Sequence, residues 1–246
     1  MATDADPFGP QMPLGISLAP GATFEAFFVG PNRFALEVLR AMADGTGERQ
    51  ALLASETGLG KSHLLQATCR RAGEAGARCA WLPLDGEAGA DAAILEGLET
   101  LDLIALDAID AVVGDAAWER GLFGLINAAR ASGTRLLFAA RAVPAELGLA
   151  LPDLASRLTW GPVLQLVPLE EADKREALME RARVLGLELP EAVADYLLRH
   201  FPRDLAGQLD RLDTLDRASL ASGRRLTVPF VKEVLARARR NVCQGS

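Results

Sequence analysis

Short apolar runs alternate with amphipathic stretches along the first two thirds of the chain, and this alternation sets the expected architecture. Ala51–Ala54 is an apolar run, followed by a glycine-bearing turn and an amphipathic stretch from Lys61 to about Ala75, with Leu64, Leu65 and Thr68 on its inner side. The spacing predicts a buried strand, a tight loop and a helix that Gly76 ends. Cys79–Leu84 and Leu101–Asp107 are the next predicted strands, separated by a loop over Asp85–Ala90 and a short helix over Ala92–Leu98. Asp115 is placed to cap a helix over Ala116–Ala131, with Trp118, Leu122, Leu125 and Ile126 inward and Ser132-Gly133 as its stop. Arg135–Ala140 is a fourth strand, Leu151–Leu158 a short helix and Val163–Val167 a fifth strand. Strands alternating with helices predict a five-stranded parallel sheet covered on both faces.

After Pro168 the pattern becomes helical throughout. Glu170–Leu185, Pro190–Arg199, Asp204–Leu220 and Pro229–Arg239 are predicted helices, with Leu205, Leu209, Leu212 and Leu215 in one stripe and Thr227 as an N-cap. The expected division is therefore a flexible N-terminal segment over 1–22, an α/β domain over 23–167 and a small helical domain over 168–246. Ahead of the first strand, Phe34, Val38 and Met42 recur at helical spacing behind Gly30-Pro31-Asn32, with Asn32 as the expected cap. Met1–Pro10 is mostly polar and predicts a disordered tail. Gln11–Leu18 admits two readings: a strand laid on the core, or a short linear motif of one Gln and spaced aliphatics suited to an apolar pocket on a partner.

The chemistry concentrates between Ser55 and Ser62. A strand, a Thr57-Gly58-Leu59-Gly60-Lys61-Ser62 turn and a helix form the context of a phosphate-binding loop. Glycines let the backbone turn its N–H groups inward as a nest for phosphate oxygens. Lys61 can reach the outer phosphates, the Ser62 hydroxyl can ligate Mg²⁺, and the helix N-terminus adds a favourable dipole. Ser55 stands where the full pattern has its first Gly. One strand-and-helix unit later, Leu103-Ile104-Ala105-Leu106 ends in Asp107, a carboxylate placed to hold the same Mg²⁺. The following residue, where many ATPases carry a second carboxylate to activate water, is Ala108. Loss of a general base typically costs ~10²–10⁴ in rate, so weak intrinsic hydrolysis is expected. Asp110 lies further on and could partly substitute unless a turn aims it elsewhere.

The totals narrow the class. The 246 residues are 50% hydrophobic and carry a net charge of −7, which gives no sign of the basic face that a dedicated DNA-binding protein uses. Cys69, Cys79 and Cys243 are odd in number and lack metal spacing, which fits a reduced cytoplasmic compartment. The N-terminus lacks the apolar stretch of a signal peptide, and Leu101–Val113 is interrupted by Asp102, Asp107 and Asp110, so no membrane span is expected.

With these features placed, the chain resembles the AAA+ module of the bacterial replication initiator DnaA, a P-loop NTPase fold with a helical lid. The resemblance rests on Gly30-Pro31-Asn32-Arg33-Phe34-Ala35, Thr57 to Leu65 and Ser156-Arg157-Leu158-Thr159-Trp160-Gly161. It is closer still to the Hda proteins, shorter regulatory relatives that inactivate the initiator, through Gln11–Leu18, Leu151–Leu158 and Leu226–Glu233. The resemblance implies bound ADP or ATP with Mg²⁺ on Ser62 and Asp107. It puts Asn32 near the base and ribose, and Thr57, Gly58, Leu59, Gly60, Lys61, Ser62 and His63 around the phosphates. Arg203 becomes the lid's sensor arginine, and Arg157 an arginine finger for a neighbour's nucleotide. Gln11, Met12 and Leu14 become a motif that docks on the sliding clamp, the beta subunit of DNA polymerase III. The fourth-strand sensor is altered, because Arg141 follows Phe138-Ala139-Ala140. The sequence ends soon after the last lid helix without a basic recognition helix, so no direct DNA-binding domain is expected.

Three readings follow. The first is a regulator of replication initiation, cytoplasmic and associated with the replisome and nucleoid. It is tethered to the clamp, is a possible homo-oligomer, and supplies Arg157 to ATP-loaded DnaA. The second is an autonomous AAA+ ATPase of helicase-loader type, which Ala108 argues against. The third is a truncated DNA-binding initiator, which the acidic balance disfavours.

Overall fold

The computed structural model describes residues 18–19, 21–201 and 205–243. The tail expected over Met1–Pro10, the motif at Gln11, Met12 and Leu14, and Arg203 lie outside the described residues. The chain divides into two compact units, Met1–Leu166 and Val167–Ser246.

The first unit is built on five parallel strands: β1 (Gln50–Ala54), β2 (Cys79–Pro83), β3 (Leu103–Asp107), β4 (Arg135–Ala140) and β5 (Val163–Gln165). Their order across the sheet is β2-β3-β4-β1-β5. Ala54 pairs with Ala140, and Pro83 with Asp107, so the C-terminal ends of β1, β2, β3 and β4 gather along one edge. Parallel α/β sheets bind their ligands at that edge. Residues alternate between two cores. Ala51, Leu53, Leu103, Ala105, Leu137 and Ala139 meet α1 (Arg33–Ala43) and α2 (Lys61–Glu74) on one face. Leu52, Ala54, Ile104, Leu106, Leu136 and Phe138 meet α3 (Ala116–Ser132) and α4 (Pro152–Leu158) on the other. Each fully buried Leu or Phe is worth about 1.5–3 kcal/mol relative to an exposed one. Asp115 caps α3 as expected, its Oδ1 accepting the N–H groups of Ala117 at 2.7 Å and Trp118 at 3.1 Å.

Some details depart from the sequence pattern. The core stripe of α1 is Ala35, Leu36, Leu39, Met42 and Ala43, and Phe34 falls on the far side of it, 67% exposed. Asn32 precedes α1 but its side chain makes no capping bond, because its backbone (φ −91°, ψ 19°) is not in the extended form a capping residue takes. The helix expected over Ala92–Leu98 is two single 3-10 turns, Ala92–Leu95 and Leu98–Thr100, parted where Gly97 takes φ 78°.

The second unit contains α5 (Glu171–Val184), α6 (Glu191–His200), α7 (Leu205–Ser222) and α8 (Val228–Cys243). Val193, Leu197, Leu215, Phe230 and Val231 form its main core, and Leu178, Ala182, Leu198 and Leu212 a second cluster. The side chains of Leu205 and Leu209 lie outside the described residues. Asp213 accepts two hydrogen bonds at 3.0 Å from the Arg181 guanidinium, tying α5 to α7. Among the described residues, no helix is long and apolar enough to cross a membrane.

Candidate functional site

The loop after β1 starts by prolonging the sheet: Ser55 N–H donates to the Ala140 carbonyl at 3.2 Å. It then turns through Gly58 and Gly60, at φ 87° and 92°. Both lie in the left-handed region that only glycine enters without strain. Gly60 is doubly constrained, since a Cβ there would stand 2.7 Å from the Phe27 ring. The turn therefore offers backbone where larger residues would offer side chains. Thr57 is exposed on it and Leu59 anchors it against the α1–α2 core.

Lys61 opens α2 and folds back over the loop. Its ammonium donates to the Ser55 carbonyl at 2.6 Å, the Glu56 carbonyl at 2.9 Å and the Ser55 hydroxyl at 3.3 Å. Burial lowers its pKa, against the attraction of Asp107 and Asp110 and with a repulsion from Arg141. A lysine held by carbonyls and favouring charge loss is a cation short of an anion, and phosphate oxygens would supply one. Asp107 ends β3 and is buried, with the Ser62 hydroxyl close enough to favour its charged form. Burial pushes the Asp107 carboxyl up, while its hydrogen bonds to Ser62 and Ala108 hold it down. One hydroxyl and one carboxylate at the mouth of a phosphate cradle suit a hard divalent cation, which takes most of its ligands from water and phosphate. The residues present thus fit a nucleotide with Mg²⁺.

Other expected residues serve this region less directly. His63 Nε2 donates to the Thr23 carbonyl at 2.7 Å, with burial lowering its pKa, so it fastens the preceding segment to α2. Asn32 is buried. Asp110 is not left open to water: its carboxylate accepts the Arg141 backbone N–H at 2.9 Å and the Arg141 Nε–H. That ion pair is invisible to spacing, since its members are 31 residues apart. The altered sensor position was the one signal for it.

Arg157 lies elsewhere. Its carbonyl accepts from the Gln50 side chain at 2.7 Å, at the start of β1, whereas the phosphate loop follows the end of β1. Five residues of strand separate the two by roughly 13 Å. Gly161 fits the same junction so closely that a Cβ would stand within 1.8 Å of the Gln50 carbonyl oxygen. The Arg157 guanidinium carbon stands 4.1 Å from the Trp160 ring centre and 5.0 Å from that of Phe123. Arg130 stands 4.2 Å from the same Trp160 ring. Trp160 lines an open cleft of about 510 Å³ with Glu48, Arg49, Gln50, Ile126, Arg130, Thr134 and Leu136. Arg157 Nε is buried, with no hydrogen-bond partner among the described residues. The sequence singles out Arg157 but does not report the Trp160 and Phe123 rings around it, although Trp160 is three residues away.

Residues 18–82 match the family model of the bacterial DnaA ATPase domain, and residues 171–235 match that of the Hda lid domain. Domain III of the Thermotoga maritima replication initiation protein DnaA superposes with a TM-score of 0.74 at 23% identity, over 89% of this chain and 98% of that one. AMPPCP-bound DnaA from Aquifex aeolicus gives 0.69 at 25% identity, over 80% and 66%. The Thermotoga maritima RuvB branch migration motor, at 0.65 and 17% identity over 89% and 72%, shares the fold. The two family models cover separate stretches and point the same way: a match to the DnaA ATPase domain ahead of a match to the Hda lid domain, consistent with a DnaA-homologous AAA+ protein.

Proposed function

We propose that the chain is a negative regulator of DNA replication initiation, acting on the ATP of DnaA and not chiefly on its own. In this reading ADP or ATP rests on the Gly58–Ser62 cradle. Ser62 and Asp107 hold Mg²⁺, which neutralises phosphate charge when bound. Asn32, Thr57, Leu59 and His63 border the nucleotide, and Arg203, outside the described residues, keeps the sensor role that the resemblance implies. Among the described residues no cluster of three or more acidic, His or Cys groups could hold a metal alone. Mg²⁺ in nucleotide sites commonly uses one or two protein ligands with phosphates and water.

One observation carries the reading: Arg157 is at the opposite end of β1 from the loop that would hold this chain's own phosphates. Its guanidinium, stacked on Trp160, a ring that lines an open cleft, supports a role toward a nucleotide brought by another molecule. There it stabilises the charge that develops on the transferred phosphoryl group, an effect worth ~10³–10⁵ in rate when the arginine comes in trans. Gln11, Met12 and Leu14 dock on the DNA-loaded sliding clamp and raise the local concentration of the pair. Ala108 and the engaged Asp110 leave the chain's own nucleotide without a ready base, which disfavours the autonomous helicase-loader reading.

ATP turnover measured with the chain alone, with DnaA, and with DnaA plus DNA-loaded clamp tests this. Fast turnover is expected in the last mixture only. Brisk turnover by the chain alone would contradict it.

A further inference from the structure

A half-buried carboxylate close to Lys61 belongs neither to the loop nor to the Mg²⁺ pair. After Asp107, Ala108 takes φ 54° and ψ 45°, a left-handed conformation that costs an alanine roughly 1–2 kcal/mol. Ile109–Ala111 then forms one 3-10 turn, closed by Ala111 N–H on the Ala108 carbonyl at 2.9 Å. This kink sets Asp110 under the end of β4. One carboxylate oxygen accepts the Arg141 backbone N–H and the other accepts the Arg141 Nε–H. Arg141 is the first residue beyond β4, and Ala140 before it bonds Ser55, the first residue of the phosphate loop. The Asp110 side chain is 11% exposed, and Lys61 feels both members of the pair.

A general base must offer a lone pair to water within about 2.6–3.2 Å. Asp110 instead commits both oxygens to one arginine. Moving a proton onto it would also sacrifice a charge-assisted pair with Arg141, whose side chain is 66% exposed. Asp110 lies close enough to Lys61 to act on its charge, and both of its oxygens already accept from Arg141.

We propose that Arg141 is a positioning residue that withholds Asp110 from water at this chain's own nucleotide, and that releasing Asp110 makes the chain a faster ATPase. The inference rests on the nucleotide-binding part of the reading above and is independent of Arg157 and the clamp. Once released, the Asp110 carboxylate takes a proton from water as the water oxygen bonds to the γ-phosphorus. The bond from that phosphorus to the β,γ-bridging oxygen breaks. ADP and inorganic phosphate leave, and Asp110 returns the proton to solvent.

The test uses the purified full chain in single-turnover ATP hydrolysis, with titration of a fluorescent ADP analogue and a thermal melt on each variant. Arg141→Met keeps the length but removes the charge and side-chain donors. It is expected to hydrolyse about 10–100-fold faster, part of the range a general base supplies. Its affinity for the ADP analogue should match that of the parent. The Arg141→Met/Asp110→Asn double variant should return to the parental rate, and added methylguanidinium should slow Arg141→Met. If Arg141→Met fails to fold, Arg141→Lys, which keeps the charge but loosens the clamp, should show a smaller rise. An unchanged or slower folded variant overturns the proposal, as does a double variant as fast as the single one. Lost affinity for the ADP analogue would make Arg141 a phosphate contact and also overturn it. If the parent itself bound no nucleotide, the underlying reading would fail, a result distinct from normal binding with unaltered rates.

Discussion

Asp107 is a buried carboxylate whose charge is disfavoured by folding, and the proposed function gives it Mg²⁺ to hold. Burial raises its folded pKa above the ordinary 3.8, so the charged form is less favourable in the folded chain than in the unfolded one. Its contribution to stability is therefore full below pH 3.8 and is lost as the pH rises through the folded value. Asp107→Asn should melt higher than the parent at pH 7, with the gap closing toward pH 3.8, and should bind Mg²⁺-nucleotide more weakly. Melting curves at several pH values check this, and a lower melting temperature at pH 7 would contradict it. The loop residues Gly58, Gly60, Lys61 and Ser62 were legible in sequence because their spacing encodes a backbone conformation. The Asp110–Arg141 pair was not, because it depends on which strands neighbour one another in the sheet.

At the scale of elements, the strands were the most legible part, because five short apolar runs must each be buried on both faces of a parallel sheet. Helical periodicity was less secure where the start of the helix was uncertain. Phe34 sits one residue into α1 and points away from the stripe formed by Leu36, Leu39 and Met42. Gly97 broke an expected helix into two turns because a left-handed residue cannot continue one. The junction between α4 and β1 depends on a contact 107 residues apart in sequence, which no local pattern reports. There Gly161 lies against the Gln50 carbonyl, and rigid backbone cannot yield as a side chain would. Gly161→Ala should destabilise the chain by about 1–3 kcal/mol, the usual cost of overpacking, as read from urea denaturation. It should also lower stimulation of DnaA turnover, because Arg157 and Trp160 lie on the displaced segment.

For the whole molecule, the glycine-turned loop lies where β1 ends and Arg157 lies where β1 begins, and the proposed function makes these the two reaction ends of one sheet. A net charge of −7 is compatible with a partner protein carrying the DNA contacts. The central claim is that Arg157 acts on a nucleotide bound to another molecule, and Arg157→Ala tests it most directly in DnaA turnover with DNA-loaded clamp. The expected result is loss of about 10³-fold or more of the stimulation, with clamp and nucleotide binding by the variant intact. Stimulation at the parental level by a folded, clamp-bound Arg157→Ala chain would contradict the account.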